Sequence, residues 1–234
     1  MYDIVFISYN EPNADVNYNR LKARFPLAKR VHGVKGIHQA HIAAAKKCFT
    51  KMFWVVDGDA EILDTFKFDY QVPEWDLETV HVWRSINPIN GLEYGYGGVK
   101  LLPKALTQKM DVTKPDMTTS ISSSFKALED ISNITAFNTD PFSTWRSAFR
   151  ECVKLASGAI DRQNNEETMA RLAAWLTFYP GEPFAQEAAS GAYDGREYGR
   201  KNAADPAALS LINDFDWLKV QYEQTLRPLE KSQQ

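Results

Sequence analysis

The chain is short of several things. It has two cysteines, Cys48 and Cys152, and four histidines, none of them after His81. Two thiols in helix-like sequence cannot form a disulfide framework, so a reducing, cytoplasmic setting is the expectation. Apolar runs are strand-sized and fall far below the roughly 20 residues that cross a bilayer, so no membrane partner is expected. The opening residues Met1–Glu11 turn polar too soon for a secretory signal. There is no excess of positive charge. Lys and Arg number 27 against 30 Asp and Glu, a formal net charge of −3, so a nucleic acid would have to be held by a local patch. What is present is a globular composition, 44% hydrophobic and 24% charged over 234 residues. That length suits one large domain, or one domain with an appendage.

The first 60 residues alternate between two kinds of pattern. Ile4–Ile7, Arg30–His32 and Phe53–Val56 are short strand-like runs, the first and last continuously apolar, as in strands buried on both faces. Between them lie Asn17–Phe25, with apolar residues at helical spacing and Pro26 as a stop, and the alanine-rich Ile37–Phe49. Strand, helix, strand, helix, strand predicts an α/β layer architecture with parallel strands. Further on, Val80–Trp83, Val99–Pro103 and Asn133–Phe137 read as strands, residues 107–124 as a mobile Ser/Thr-rich loop, and everything after Pro141 as helices. The helices expected are Ser143–Ile160, Glu166–Phe178, Pro183–Gly199 (interrupted by glycines) and Ala207–Leu226, before a polar tail. A working boundary near residue 141 separates an α/β domain, residues 1–141, from a helical region, residues 142–234.

Ligands of such sheets bind beyond the carboxyl ends of the strands, where two polar clusters fall. Asp57-Gly58-Asp59 puts two carboxylates just past a buried strand, where they can reach one hard divalent cation whose open positions take diphosphate oxygens. A turn with two exposed Asp residues gives the same string, and Asp214-Phe215-Asp216 repeats it in what reads as a solvated helix face. Ser8-Tyr9-Asn10-Glu11 could contact a base or ribose, or be a turn punctuated by Asn and Pro. Lys35-Gly36 opens a helix, a place suited to an anion, although surface lysines are common. His38 and His41 share a helix face with no cysteine or glutamate to complete a zinc pattern. Asp140 could cap the helix that follows or serve as a general base. Tyr94, Tyr96, Gly97 and Gly98 form a glycine-aromatic loop that a sugar or base could approach, or an ordinary turn. Arg84, Arg146 and Arg150 could meet phosphate or acceptor, or face solvent.

Taken in order, Ile4–Glu11, Gly36 with Ala40 and Ala44, Phe53–Asp59, Gly97-Gly98 and Thr139-Asp140 with Trp145-Arg146 resemble the nucleotide-binding half of GT-A glycosyltransferases over residues 1–150. More narrowly, His81–Ser85, Asn87-Pro88, Tyr94–Lys100 and Phe137–Phe142 are similar to the TET-associated glycosyltransferases of tailed bacteriophages, which decorate hydroxymethylated pyrimidines in DNA. The resemblance implies a GT-A fold, Rossmann-like, with a mainly parallel sheet. It implies a UDP-sugar donor on Ser8, Tyr9, Asn10, Glu11, Lys35, Gly36, Asp57, Gly58, Gly97 and Gly98, with Mn²⁺ or Mg²⁺ on Asp57 and Asp59. Asp140 becomes the catalytic base of an inverting transfer. Arg84, Tyr94, Tyr96 and Arg146 become contacts to the acceptor, a 5-hydroxymethyl pyrimidine in phage DNA inside the host cytoplasm. The 107–124 loop and the helices after Pro141 would have to supply the DNA-facing surface, and Lys100, Lys104, Lys109 and Lys114 make that central region locally basic. Two departures are visible: the late acidic pair reads Thr139-Asp140 and not Glu-Asp, and no late histidine is available to a metal. The alternatives are a glycan or small-molecule acceptor, a nucleotidyltransferase, or a non-catalytic nucleotide-binding module.

Overall fold

A computed structural model describes residues 1–94, 97–114, 116–158 and 164–226. The chain forms two compact units, Met1–Thr139 and Asp140–Gln234. Tyr96 and the polar tail fall outside the described residues.

The first unit runs β1 (Asp3–Ser8), α1 (Ala14–Arg24), β2 (Lys29–His32), α2 (Ile37–Lys46), β3 (Met52–Asp57), β4 (Ala60–Ile62), β5 (Val80–Ile86), β6 (Glu93–Tyr94), β7 (Val99–Pro103), α3 (Lys104–Gln108), α4 (Met117–Ile121) and β8 (Phe125–Thr135). The strands form one sheet in the order β2-β1-β3-β7-β5-β8-β4, with β6 on β5. β1 pairs parallel with both β2 and β3. The first crossover therefore moves to one side of β1 and the second returns past it to the other.

Beyond β3 the expectation of a mainly parallel sheet fails. β7 is antiparallel to β3 and β5, β8 is parallel to β5 and antiparallel to β4, and the sheet is mixed. An apolar run reports that a strand is buried, not which way it points.

Side-chain alternation along the strands divides the core into two layers. Ile4, Phe6, Trp54, Val56, Trp83, Val99 and Leu101 pack with Ala14 and Leu21 of α1 and with Phe66 and Phe68. Trp54 is the hub of that layer, 5.1 Å from Phe68 and 4.6 Å from Trp83 between ring centroids. The opposite face places Val5, Val31, Phe53, Val55, Val82 and Leu102 against Ala44, Ala45 and Cys48, and against Met110, Met117 and Ile121. Those last three overturn the reading of 107–124 as a loop: the segment carries the end of α3 and all of α4, and Met110, Met117 and Ile121 anchor it in the core. Each helix is five residues long, too short for a 3.6-residue period to be read. β8 is longer than expected because its first half is mostly exposed and shows no alternation.

The second unit contains α5 (Pro141–Ser157), α6 (Asn165–Leu176), α7 (Ala185–Lys201), α8 (Pro206–Ser210) and α9 (Phe215–Thr225). Its core holds Trp145, Phe149, Val153, Leu209, Ile212 and Leu218. α7 is continuous through its glycines. Gly191, Gly195 and Gly199 recur every four residues, on one helix face, and lie against the backbone of Trp145, Phe149 and Val153 in α5. The sequence suggested interruption because glycine costs a helix about 1 kcal/mol against alanine; here close helix contact offsets that cost. Asp214 caps α9 by accepting from the amides of Asp216 and Trp217. The second Asp-x-Asp is thus a helix start and not a helix face. Both cysteines are buried free thiols, and burial pushes Cys48 up to about 12. Among the described residues no helix is long and apolar enough to cross a membrane.

Candidate functional site

The carboxyl ends of β1 and β3 lie side by side, where connections leave β1 in opposite directions. That is the switch point of an open α/β sheet, the customary place for a ligand crevice. Both polar clusters sit there, joined by Gly58. A Cβ on Gly58 would stand 2.7 Å from Glu11 Oε2 and 3.1 Å from Ser8 Cβ, so the turn after β3 lies directly on the tip of β1. Buried Asn17 of α1 holds that turn from behind, donating to the Gly58 carbonyl at 3.1 Å. Glu11 accepts from the Tyr9 amide at 2.7 Å, and Asn10 is exposed in the same bend.

Ser8 is buried, and its hydroxyl is occupied. Arg30 Nε donates to it at 2.9 Å, and His32 Nδ1 lies 3.0 Å away. Arg30 and His32 stand opposite Phe6 and Ser8 in the parallel register. The sequence placed His32 in a strand and assigned Arg30 no role at the site, because pairing register is invisible before folding.

Asp57, the last residue of β3, has a partner that the sequence reading did not supply. Lys100 Nζ donates to both of its carboxylate oxygens, at 2.9 and 2.7 Å. Lys100 stands opposite Val55 on β7, so it faces the same side of the sheet as Asp57, one diagonal step away. Its side chain is only 6% exposed, against 34% for Asp57. Lys100 therefore does not add to the locally basic surface expected of the central region. One signal was available: Lys100 is the lone charge in the apolar run Val99–Leu102, and a buried ammonium needs a counter-ion.

His41, fully buried on α2, belongs to the same neighbourhood. Its Nδ1 donates to the Ile37 carbonyl at 2.8 Å, and its Nε2 has no partner. Burial, with the Lys100 charge adding to it, pulls the imidazole down to about 4.

The glycine turn is explained by its own neighbours. Gly97 has φ +81°, and a Cβ there would meet Lys100 Cε at 3.1 Å. A Cβ on Gly98 would meet the buried Asn133 amide at 2.5 Å. The Gly98 carbonyl also accepts from the Asp57 amide at 2.9 Å, so the turn fixes the Lys100–Asp57 pair.

The remaining candidates are more scattered. Asp59 is half-buried, and its carbonyl accepts from Ala136 N at 2.8 Å. Lys35 is exposed beside Gly36, which starts α2 at φ 92°. Arg84 on β5 is paired with Glu129 at 2.6 Å. Tyr94 ends β6. Asp140 belongs to the second unit, where it caps α5 by accepting from the Ser143 amide at 2.8 Å. Arg146 lies over the Phe215 ring at 4.4 Å, and Arg150 donates to the Ile212 carbonyl at 2.7 Å.

Asp57 and Asp59 are oxygen donors of the kind hard cations take. Mg²⁺ is commonly held by one or two carboxylates with water and substrate phosphates completing its shell. Among the described residues no three His, Cys, Asp or Glu side chains gather as a metal site; two carboxylates have the chemistry of a cation whose remaining ligands come from elsewhere, and Asp57 already shares both its oxygens with Lys100.

No protein-family model matches the chain. No curated protein matches it either. Among solved structures, HddC from Yersinia pseudotuberculosis is similar over 55% of this chain and 90% of its own length, with 16% identity and a TM-score of 0.37.

Proposed function

We propose that the chain transfers a sugar from a nucleotide-diphosphate donor, UDP-linked, to a hydroxyl group. The observation that carries this reading is the junction at Gly58, which brings the turn after β3 against Ser8 and Glu11 at the switch point of the sheet. Nucleoside contacts fall to Tyr9, Asn10 and Glu11, with Ser8 held beneath them by Arg30 and His32 and with Lys35 and Gly36 at the start of α2 facing phosphate. Asp57 and Asp59 would hold Mn²⁺ or Mg²⁺, which when bound supplies Lewis-acid stabilisation of the leaving diphosphate. Gly97 and Gly98 set the floor on which the donor lies.

Asp140 is the proposed base, accepting the proton of the acceptor hydroxyl as it displaces the diphosphate with inversion. Its helix-capping bond occupies one oxygen toward Ser143 and fixes the carboxylate's direction. The acceptor proposed is a 5-hydroxymethyl pyrimidine in DNA, met in the first unit by Arg84 and Tyr94; such a base must be read at its groove edge or flipped out.

Incubation with a set of UDP-sugars and hydroxymethylcytosine DNA, followed by nucleoside mass spectrometry, tests both halves. A glycosylated nucleoside is expected. Transfer to a glycan panel and not to DNA would move the acceptor. Absence of any UDP or UDP-sugar binding would remove the donor assignment itself.

A further inference from the structure

The Lys100–Asp57 pair carries an inference that rests on the nucleotide-sugar reading and deepens it. We propose that Lys100 is a positioning residue that makes divalent-cation binding at Asp57 depend on the donor: it holds the carboxylate against a bare cation and yields it to a cation carrying diphosphate. Three observations support this. Both oxygens of Asp57 lie on the ammonium, at 2.9 and 2.7 Å. The Lys100 head is confined, 6% exposed, with Gly97 against its stem. The Gly98 carbonyl accepts from the Asp57 amide at 2.9 Å, which ties the turn before Lys100 to the end of β3.

A carboxylate has lone pairs to spare beyond two hydrogen bonds, so a cation can still approach it. That cation then sits within a few ångströms of a fixed positive charge in a half-buried site, where like charges are poorly screened. Diphosphate changes the balance. Its oxygens offset both positive charges and give the ammonium a second acceptor beside Asp57. Cation and donor thereby favour each other's binding, and such coupling is reciprocal. No bond is made or broken in this step.

The test titrates Mn²⁺ alone into the full chain, reading free Mn²⁺ by electron paramagnetic resonance. Lys100→Met keeps the buried stem and removes the charge; Lys100→Gln is the second variant, should the first lose its cooperative thermal transition. At least tenfold tighter Mn²⁺ binding than wild type is expected, abolished again when Asp57→Asn is added. In the wild type, UDP should bind at least tenfold more tightly with Mn²⁺ than without, and Lys100→Met or Lys100→Gln should shrink that ratio. Equal or weaker Mn²⁺ binding in a folded Lys100 variant, tighter binding that survives Asp57→Asn, or wild-type UDP affinity indifferent to Mn²⁺ would each overturn the proposal. Failure of UDP to bind the wild type under any condition strikes instead at the donor assignment.

Discussion

In the first unit, Gly58, Gly97 and Gly98 stand against side chains: the Glu11 carboxylate, the Lys100 stem and the Asn133 amide. In the second, Gly191, Gly195 and Gly199 stand against the main chain of α5. The same residue, chosen for having no side chain, serves two ends. Around the strand tips it lets polar and charged groups meet in a small volume. Along α7 it lets two helices touch with nothing between them. A side chain can turn aside from an intruding methyl group and a helix backbone cannot, so the helical unit should be the less forgiving in stability and the strand tips the less forgiving in chemistry.

The sharpest way to break that division is Asp140, which belongs to the helical unit and yet is assigned to the chemistry. Asn is as good an N-cap as Asp, so Asp140→Asn removes the base while sparing the helix. Turnover should fall by about two to four powers of ten, with UDP-sugar binding and thermal midpoint unchanged. Near-normal turnover would return Asp140 to a purely structural role.

Next in size is Gly195→Ala, whose methyl would strike the Phe149 carbonyl. A loss of about 3 kcal/mol is expected, read from the urea midpoint and carried by the unfolding of the second unit. A loss under about 0.5 kcal/mol, the usual bound for an inconsequential change, would mean that the helices can part.

A comparable effect in the first unit should come from pH. Folding keeps His41 neutral down to about 4, whereas its ordinary value is 6.5. The unfolded chain therefore takes up a proton that the folded one refuses. The contribution of His41 is fully present above about pH 6.5 and is lost as pH falls toward 4, by about 3 kcal/mol at about 1.4 kcal/mol per pH unit. Urea midpoints across that range measure it, and His41→Leu should make the slope shallower, with buried His38 and His81 keeping their own share.

The smallest effect is expected at Gly97→Ala. The left-handed backbone and the approach to Lys100 together should cost about 1–2 kcal/mol, and Lys100 must shift to accommodate the methyl. Mn²⁺ affinity should then change along with stability. A change in stability alone would separate the turn from the ion pair it touches.

Much of the first 60 residues was legible because each element announces itself locally. Ile4–Ile7 and Phe53–Val56 are continuous apolar runs, Ile37–Lys46 is alanine-rich, and the polar breaks after Ile7 and Val56 mark the strand ends. The short helices over 104–121 escaped because five residues give no period, and the first half of β8 because its exposed residues do not alternate. At the site, the polar tips were legible as a coincidence of two strand ends. Their partners were not. Arg30 reaches Ser8 through a parallel register, and Lys100 reaches Asp57 across an antiparallel pair more than 40 residues away in sequence. The glycines of α7 were visible but read as breaks, because propensity prices a glycine in isolation and not against a neighbouring helix.

The order of strands and helices near the amino terminus, the burial of their apolar faces and the position of acidic residues at the strand ends were determined by the sequence itself, since each depends on residues close together in the chain. Which way the later strands run, which cation faces Asp57 and what the glycines make room for were decided by tertiary structure. Those outcomes depend on pairing register and on close approach between distant segments, and neither exists until the chain has folded.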